Sequence, residues 1–145
     1  MEVIMAIKMR VLYASNKSKI ADMADIVKQE YDLAINAVDK IPPAYSCNNE
    51  RLVILMLSLK GDPEDQLRLF CRELTKARAQ NVALVIDGNE AAANKMKAIL
   101  GEAGTNVADE VHYVKCGFLS FLDKVKPEEK EALLAFTHRI VDNLQ

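Results

Sequence analysis

Short apolar runs of strand length alternate along this chain with segments in which apolar residues recur at helical spacing. The apolar runs predict strands at residues 10–14, 33–38, 52–59, 82–86 and 107–115. Residues 52–59 are the most apolar of these, as expected for a central parallel strand that is buried on both faces. Residues 33–38 alternate more weakly, which suits an edge strand with one partly exposed face.

Amphipathic helices are predicted between or after these strands, and several of their ends carry local signals. The first helix is expected at residues 18–31. Asp62 followed by Pro63 predicts the N-cap and the first residue of the second helix. Asn89 predicts the cap of the third helix, and Pro127 opens the last one.

The repeated alternation of strand and helix predicts a parallel sheet with helices on both faces, because parallel crossovers are right-handed. A five-stranded sheet in the order 2-1-3-4-5 is the natural solution, and it gives a three-layer α/β fold. The 145 residues predict a single domain, since a chain of this size buries roughly 70% of the surface that its unfolded form exposes. Met1 and Met9 serve equally well as the natural start, so residues 1–8 are either an extension or part of a long first strand.

Charge and composition narrow the classes of partner. A formal net charge of −2 and an isoelectric point near 5.7 leave no basic footprint for nucleic acid or for an anionic membrane. No apolar run reaches the ~18 residues of a membrane span, and residues 1–8 lack the cleavage site of a signal peptide. Cys47, Cys71 and Cys116 lack metal-ligand spacing. These features predict a cytoplasmic protein without a metal site, and we interpret Cys116 as a packing residue.

Residues at the predicted strand ends exclude other families that share this strand order. A phosphoacceptor receiver domain needs paired acids after strand one and an aspartate at the end of strand three. Ala14 and Ser15 occupy the first place in this chain, and Ser58 and Leu59 occupy the second. A cobalamin-binding loop of the form Asp-x-His-x-x-Gly is also missing from the sequence.

Three segments resemble flavodoxin-like proteins, and they occur in the order of that family. Residues 11–15 (VLYAS) are similar to the strand end before the family's phosphate loop, and residues 19–21 (KIA) are similar to the start of the helix after it. Residues 117–122 (GFLSFL) resemble the segment after strand five in the short flavodoxins related to protoporphyrinogen oxidase. The resemblance covers nearly the whole chain and implies a flavodoxin-like three-layer αβα sandwich.

The resemblance also implies FMN as a cofactor and electron transfer as the activity, with no separate catalytic residue. In flavodoxins the first loop surrounds the FMN phosphate with hydroxyls and with backbone N–H groups at a helix N-terminus, where anions are favoured. The flavin ring lies between the loops that follow strands three and four, with Leu59 expected here as one apolar wall and Phe118 approaching from the last loop. The implied cofactor-binding residues are Ser15, Asn16, Lys17, Ser18, Ser58, Leu59, Lys60, Gly61, Gly88 and Asn89.

Two departures from the family pattern motivate a second hypothesis. The loop of residues 15–18 is shorter than the family's loop and lacks glycine, and the loops after strands three and four contain no aromatic residue. These departures favour a cofactor-free flavodoxin-like binding or regulatory module, in which Ser18 or Asn16 simply caps the first helix. Under the FMN hypothesis, Lys17 or Lys19 instead supplies charge to the phosphate. The expected partner is a redox protein for an FMN carrier and a second copy of the chain for a cofactor-free module.

Overall fold

Five strands form one parallel sheet, and helices pack on both of its faces. A computed structural model describes residues 7–34, 37–117 and 123–144. In chain order the elements are β1 (Met9–Ala14), α1 (Ser18–Glu30), β2 (Val38–Lys40), β3 (Glu50–Ser58), α2 (Asp65–Arg72), β4 (Ala79–Asp87), α3 (Glu90–Ala103), β5 (Asn106–Val114) and α4 (Pro127–Asp142). The strand order is β2-β1-β3-β4-β5, and every pairing is parallel. The expected α/β fold with strand order 2-1-3-4-5 is therefore confirmed.

Two apolar layers form the core, one on each face of the sheet. Helices α1 and α4 contribute to one layer, and α2 and α3 contribute to the other. The central strand is β3, in which residues 52–57 are completely buried. Leu55 lies between Leu12 of β1 and Leu84 of β4 in the sheet, and all three side chains belong to the same apolar layer. A strand with no polar face reads as a continuous apolar run, so its central position was predictable.

The second strand lies later in the chain than the predicted residues 33–38, and this prediction was wrong. Strand β2 begins at Val38 and pairs with β1. Asp32 has a left-handed φ of 50°, and the Leu33 N–H donates to the Lys28 carbonyl at 2.9 Å. This Schellman arrangement ends α1. Leu33 therefore belongs to the end of the helix, and residues 35–36 lie outside the described residues.

The signals for helix starts had different outcomes. Helix α2 begins at Asp65, so the predicted cap at Asp62 was wrong: Gly61 turns the chain at a φ of 100°, and Asp62 pairs with Lys95 of α3. Asn89 does cap α3, because its Oδ1 accepts a backbone N–H of the first turn at 2.9 Å. The cap at Asn89 could be predicted because it acts within its own helical turn. The role of Asp62 could not, because it depends on an ion pair with a lysine of another helix.

Candidate functional site

The candidate site is the carboxyl edge of the sheet between β1 and β3. Strand order reverses here, because β2 lies on one side of β1 and β3 lies on the other. Ligands of open α/β sheets bind at such a point. Ser15 follows β1, Ser58 ends β3 and Asp87 ends β4. Parallel strands bring these side chains to one edge, although Ser15 and Ser58 are 43 positions apart and Ser58 and Asp87 are 29 positions apart.

Ser15, Ser58 and Asp87 form a continuous hydrogen-bond chain. The two serine Oγ atoms are 2.7 Å apart, and Ser58 Oγ lies 2.9 Å from Asp87 Oδ2. A carboxylate only accepts hydrogen bonds, so Ser58 donates its single hydroxyl proton to Asp87. Ser15 must then donate to Ser58. The Ser15 Oγ also accepts the backbone N–H of Lys17 at 3.0 Å. Both hydroxyl protons are therefore directed toward Asp87.

Cys116 connects the same chain to the segment after β5. Burial, together with the charge and hydrogen bond of the Asp87 carboxylate, raises the pKa of the Cys116 thiol to about 12. Such a thiol is protonated at neutral pH and is a poor nucleophile, which agrees with its interpretation as a packing residue. Sequence reasoning missed Asp87 as a member of the site, because an acid that ends an apolar strand gives no further local signal.

The loop between β1 and α1 places Lys17, not Asn16 or Ser18, at the N-cap position of the helix. The Lys17 backbone is extended, and no side chain caps the first turn from this position. Ser18 is the first residue of α1, and Asn16 and Ser18 are both exposed. The Lys17 ammonium lies 3.5 Å from the Gly117 carbonyl oxygen near the surface. The expectation that Asn16 or Ser18 caps the helix was therefore wrong.

Lys19 is buried, and its ammonium contacts polar groups of the β5–α4 connection and of α4. Its Nζ donates to the Lys115 carbonyl at 2.7 Å, and it lies 2.8 Å from Glu129 Oε2 and 3.4 Å from Asp123 Oδ1. Burial lowers the pKa of Lys19, but these two carboxylates outweigh that effect and the pKa is raised. Lys19 thus joins α1 to the ends of the β5–α4 connection, and its charge is already neutralised there. Of the two candidate lysines, Lys17 keeps its ammonium near the surface, 3.5 Å from the Gly117 carbonyl oxygen, without a carboxylate partner among the described ion pairs.

The loops after β3 and β4 expose backbone rather than apolar side chains. Lys60, Gly61, Gly88 and Asn89 are exposed, whereas the Leu59 side chain is only 7% exposed and packs in the core. A Cβ atom at Gly88 would lie 2.9 Å from the Leu59 carbonyl oxygen, so glycine is required by close approach of the two loops. The Leu59 N–H also donates to the Asp87 carbonyl at 3.0 Å. Phe118 lies outside the described residues.

These residues match the phosphate of FMN better than they match its ring. At the phosphate end, α1 begins without a side-chain cap and Lys17 supplies a positive charge, which together favour an anion. At the ring end, the exposed surface is mainly glycine backbone at Gly61 and Gly88. The apolar wall expected from Leu59 is absent from that surface, because its side chain fills the core.

Other kinds of site find little support in the part of the chain that the structure describes. No three His, Cys, Asp or Glu side chains there are grouped to hold a metal ion. No helix among the described residues is long and apolar enough to cross a membrane. A cavity of about 370 Å³ lies at the opposite end of β4 and β5, lined in part by Asn81, Asn106 and Arg139. It is separate from the strand ends that carry Ser15, Ser58 and Asp87.

Comparison with known proteins gives structural neighbours and no sequence relatives. No family model matches the chain, and no curated protein matches it. A short-chain flavodoxin associated with a non-canonical PDU bacterial microcompartment aligns with a TM-score of 0.65 and 14% identity, over 94% of this chain and 97% of that one. A metal-soaked flavodiiron core from Synechocystis sp. PCC6803 aligns with a TM-score of 0.54 and 15% identity, over 88% of this chain and 33% of that one. The chain thus has a flavodoxin-like fold.

Proposed function

We propose that this chain is a flavodoxin-like protein of the FMN-binding electron-transfer class. The observation that carries the proposal is the start of α1, which lies at the strand-order switch without a side-chain cap and with Lys17 beside it. Backbone N–H groups at a helix start favour an anion such as a phosphate. The flavodoxin-like fold supports the same location for the ligand, as fold-level analogy.

Each part of the edge has a role under this proposal. Ser15, Asn16, Lys17 and Ser18 hold the phosphate, chiefly through backbone N–H groups and the Lys17 ammonium. The ring is bordered by Ser58, the backbone of Leu59, Lys60 and Gly61 on one side and by Gly88 and Asn89 on the other. Bound FMN supplies the redox chemistry by accepting and donating electrons. Because Lys60, Gly61, Gly88 and Asn89 are exposed, a redox partner protein could approach the ring at this surface.

Titration of FMN and riboflavin into the purified protein tests this proposal. FMN fluorescence should be quenched at micromolar protein, and FMN should bind more tightly than riboflavin because only FMN carries the phosphate. Lys17→Met should weaken FMN binding by about twofold to fivefold, as expected for loss of an exposed charge pair of up to ~1 kcal/mol, and should leave riboflavin binding unchanged. Lys76→Met is the matched control, since Lys76 is an exposed lysine that precedes β4 at the opposite edge.

The second candidate function is a cofactor-free binding or regulatory module, with a second copy of the chain as its partner. It is favoured by the inward direction of the Ser15 and Ser58 protons and by the burial of Leu59, since both remove groups expected to contact FMN. A folded, colourless protein that leaves FMN fluorescence unchanged and sediments as a dimer would support this function. The same result would contradict the FMN proposal.

A further inference from the structure

The hydroxyl of Ser15 lies in the proposed phosphate loop, but its proton is used elsewhere. Ser58 has one hydroxyl proton and donates it to Asp87, so the only proton between the two serine oxygens, which are 2.7 Å apart, belongs to Ser15. Ser15 Oγ also accepts the Lys17 N–H. The loop therefore presents a hydroxyl oxygen without an available proton. An anion gains no hydrogen bond from such a group.

We propose that Asp87 is a specificity-determining residue of this edge, because through Ser58 it orients the Ser15 hydroxyl and thereby limits how tightly the loop binds a phosphate. The inference rests on the proposed function, since it concerns the same phosphate-binding loop. Asp87 lies outside the proposed phosphate loop of residues 15–18. It acts through the donor and acceptor order of the two serines.

The surroundings of Asp87 allow this role. Ser58 of β3 and the Cys116 thiol after β5 are neutral donors that face its carboxylate. Within the described residues no lysine or arginine forms an ion pair with it. Lys19 and Asp123, whose charges act on the Cys116 thiol, are paired with each other, and Lys19 is also paired with Glu129. The orientation of the serine protons is therefore set by Asp87 and not by a neighbouring cation.

An amide at position 87 can reverse the direction of the hydrogen bonds that join residues 87, 58 and 15. The amide nitrogen introduced by Asp87→Asn can donate to Ser58 Oγ, Ser58 can then donate to Ser15, and the Ser15 proton becomes available to a ligand. Ser15 would still accept the Lys17 N–H with its remaining lone pair. Ser58→Ala reaches the same end by a second route, because it removes the acceptor of the Ser15 proton and leaves the charge of Asp87 in place.

The test measures dissociation constants for FMN, riboflavin and inorganic phosphate with the wild type, Asp87→Asn and Ser58→Ala. Both variants should bind FMN about five to ten times more tightly, the effect of one additional hydrogen bond of ~1 kcal/mol. Inorganic phosphate should follow FMN in both variants, and riboflavin affinity should stay unchanged in Asp87→Asn. Because Ser58 borders the proposed ring position, the constant for inorganic phosphate carries the test for Ser58→Ala. Asp62→Asn is the control for charge alone, since it removes an exposed acid from the β3–α2 loop and should change none of the three constants.

Adding Ser15→Ala to Asp87→Asn and to Ser58→Ala shows whether tighter binding comes from the Ser15 hydroxyl or from the lost charge of Asp87. The gain should disappear in both double variants, because the proton that makes the new hydrogen bond is gone. A gain that survives in the Ser15→Ala background would arise from the lost negative charge and would overturn the inference. Equal FMN affinity of the wild type, Asp87→Asn and Ser58→Ala would overturn it as well. Urea midpoints of all variants establish that each protein is folded.

The outcomes also distinguish this inference from the proposed function. If the wild type does not bind FMN but the two variants bind FMN or phosphate through Ser15, the inference stands and the proposed function fails. If the wild type binds FMN and neither variant binds it more tightly, the proposed function stands and the inference fails. If no protein in the series binds FMN or phosphate, both fail.

Discussion

Replacing Lys19 by methionine tests whether the buried ammonium holds the β5–α4 connection to α1. The substitution keeps an unbranched side chain of similar length and removes three polar contacts, to the Lys115 carbonyl, Glu129 and Asp123. Lys19 is 5% exposed, whereas the two carboxylates are 18% and 26% exposed. The carboxylates therefore keep some contact with water after the ammonium is lost.

The magnitude follows from these exposures. The hydrogen bond from the charged ammonium to the Lys115 carbonyl contributes about 1.5–3 kcal/mol. The partly exposed carboxylates add less than about 1 kcal/mol each, and the contributions are not additive. Lys19→Met should thus lower the free energy of unfolding by about 2–3 kcal/mol, a large part of a typical ~5–15 kcal/mol.

Urea denaturation monitored by circular dichroism measures this loss, with Lys17→Met as the matched control. Lys17 lies two residues earlier in the same corner, and its ammonium lies 3.5 Å from a backbone oxygen near the surface. Its loss should change the free energy of unfolding by less than about 0.5 kcal/mol. Equal effects of the two substitutions, or a loss below about 0.5 kcal/mol for Lys19→Met, would refute the reasoning.

The pH dependence gives a second check of the same prediction. The raised pKa of Lys19 means that its stabilisation is complete below the unfolded value, near 10.5, and is lost as pH rises through the folded value. The pKa of Asp123 is lowered, first by the Gly117 backbone N–H and then by Lys19. The pKa of Glu129 is also lowered, because its hydrogen bond to Lys19 and its other contacts outweigh burial. The stabilisation from both acids is lost as pH falls through their folded values. The difference between the wild type and Lys19→Met should therefore be largest near neutral pH.

Three further predictions test the core, a close loop contact and a buried acid. Leu55→Ala should lower the free energy of unfolding by about 2–5 kcal/mol because Leu55 is completely buried. The control Leu69→Ala, at a side chain that is 59% exposed, should lower it by under about 0.5 kcal/mol. Similar urea midpoints of the two variants would contradict the central position of β3. Gly88→Ala should lower the free energy of unfolding by about 1–3 kcal/mol, because its Cβ would meet a backbone oxygen at 2.9 Å. The control Gly101→Ala, in a helix with open space around that position, should raise it by about 0.5–1 kcal/mol. A Gly88→Ala variant that is thermally more stable than Gly101→Ala would refute the close contact. Burial raises the pKa of Glu50, so ionisation of Glu50 disfavours the folded state above the unfolded pKa. Glu50→Gln should therefore raise the urea midpoint at pH 7 and have little effect at low pH, where Glu50 is protonated in both the folded and the unfolded state. An equal effect at both pH values would exclude titration of Glu50 as the cause.

Part of the candidate site was predictable and part was not. Ser15, Lys17 and Ser58 were identifiable because ligands of open α/β sheets bind at strand ends near the switch in strand order, and an apolar run followed by a polar residue marks such an end. The contribution of Leu59 could not be judged, because an apolar residue after a strand can face either the edge or the core. Lys17 and Lys19 were equivalent in the sequence, and only the structure shows that Lys19 is buried and ion-paired while the Lys17 ammonium lies near the surface.

The hydrophobic pattern was enough to predict the alternation of strands and helices and the central position of β3, because burial imposes a local period on each element. The strand order followed from that alternation together with the right-handed crossover rule and the flavodoxin resemblance. The tertiary structure decided which polar side chains meet. Ser58 lies 43 positions after Ser15 and 29 before Asp87, and Lys19 donates to a carbonyl 96 positions away. A hydrogen bond requires donor and acceptor atoms within about 3 Å of each other. The local hydrophobic pattern gives no information on whether two residues so far apart in sequence come that close. The direction of the Ser15 proton is therefore a property of the assembled edge.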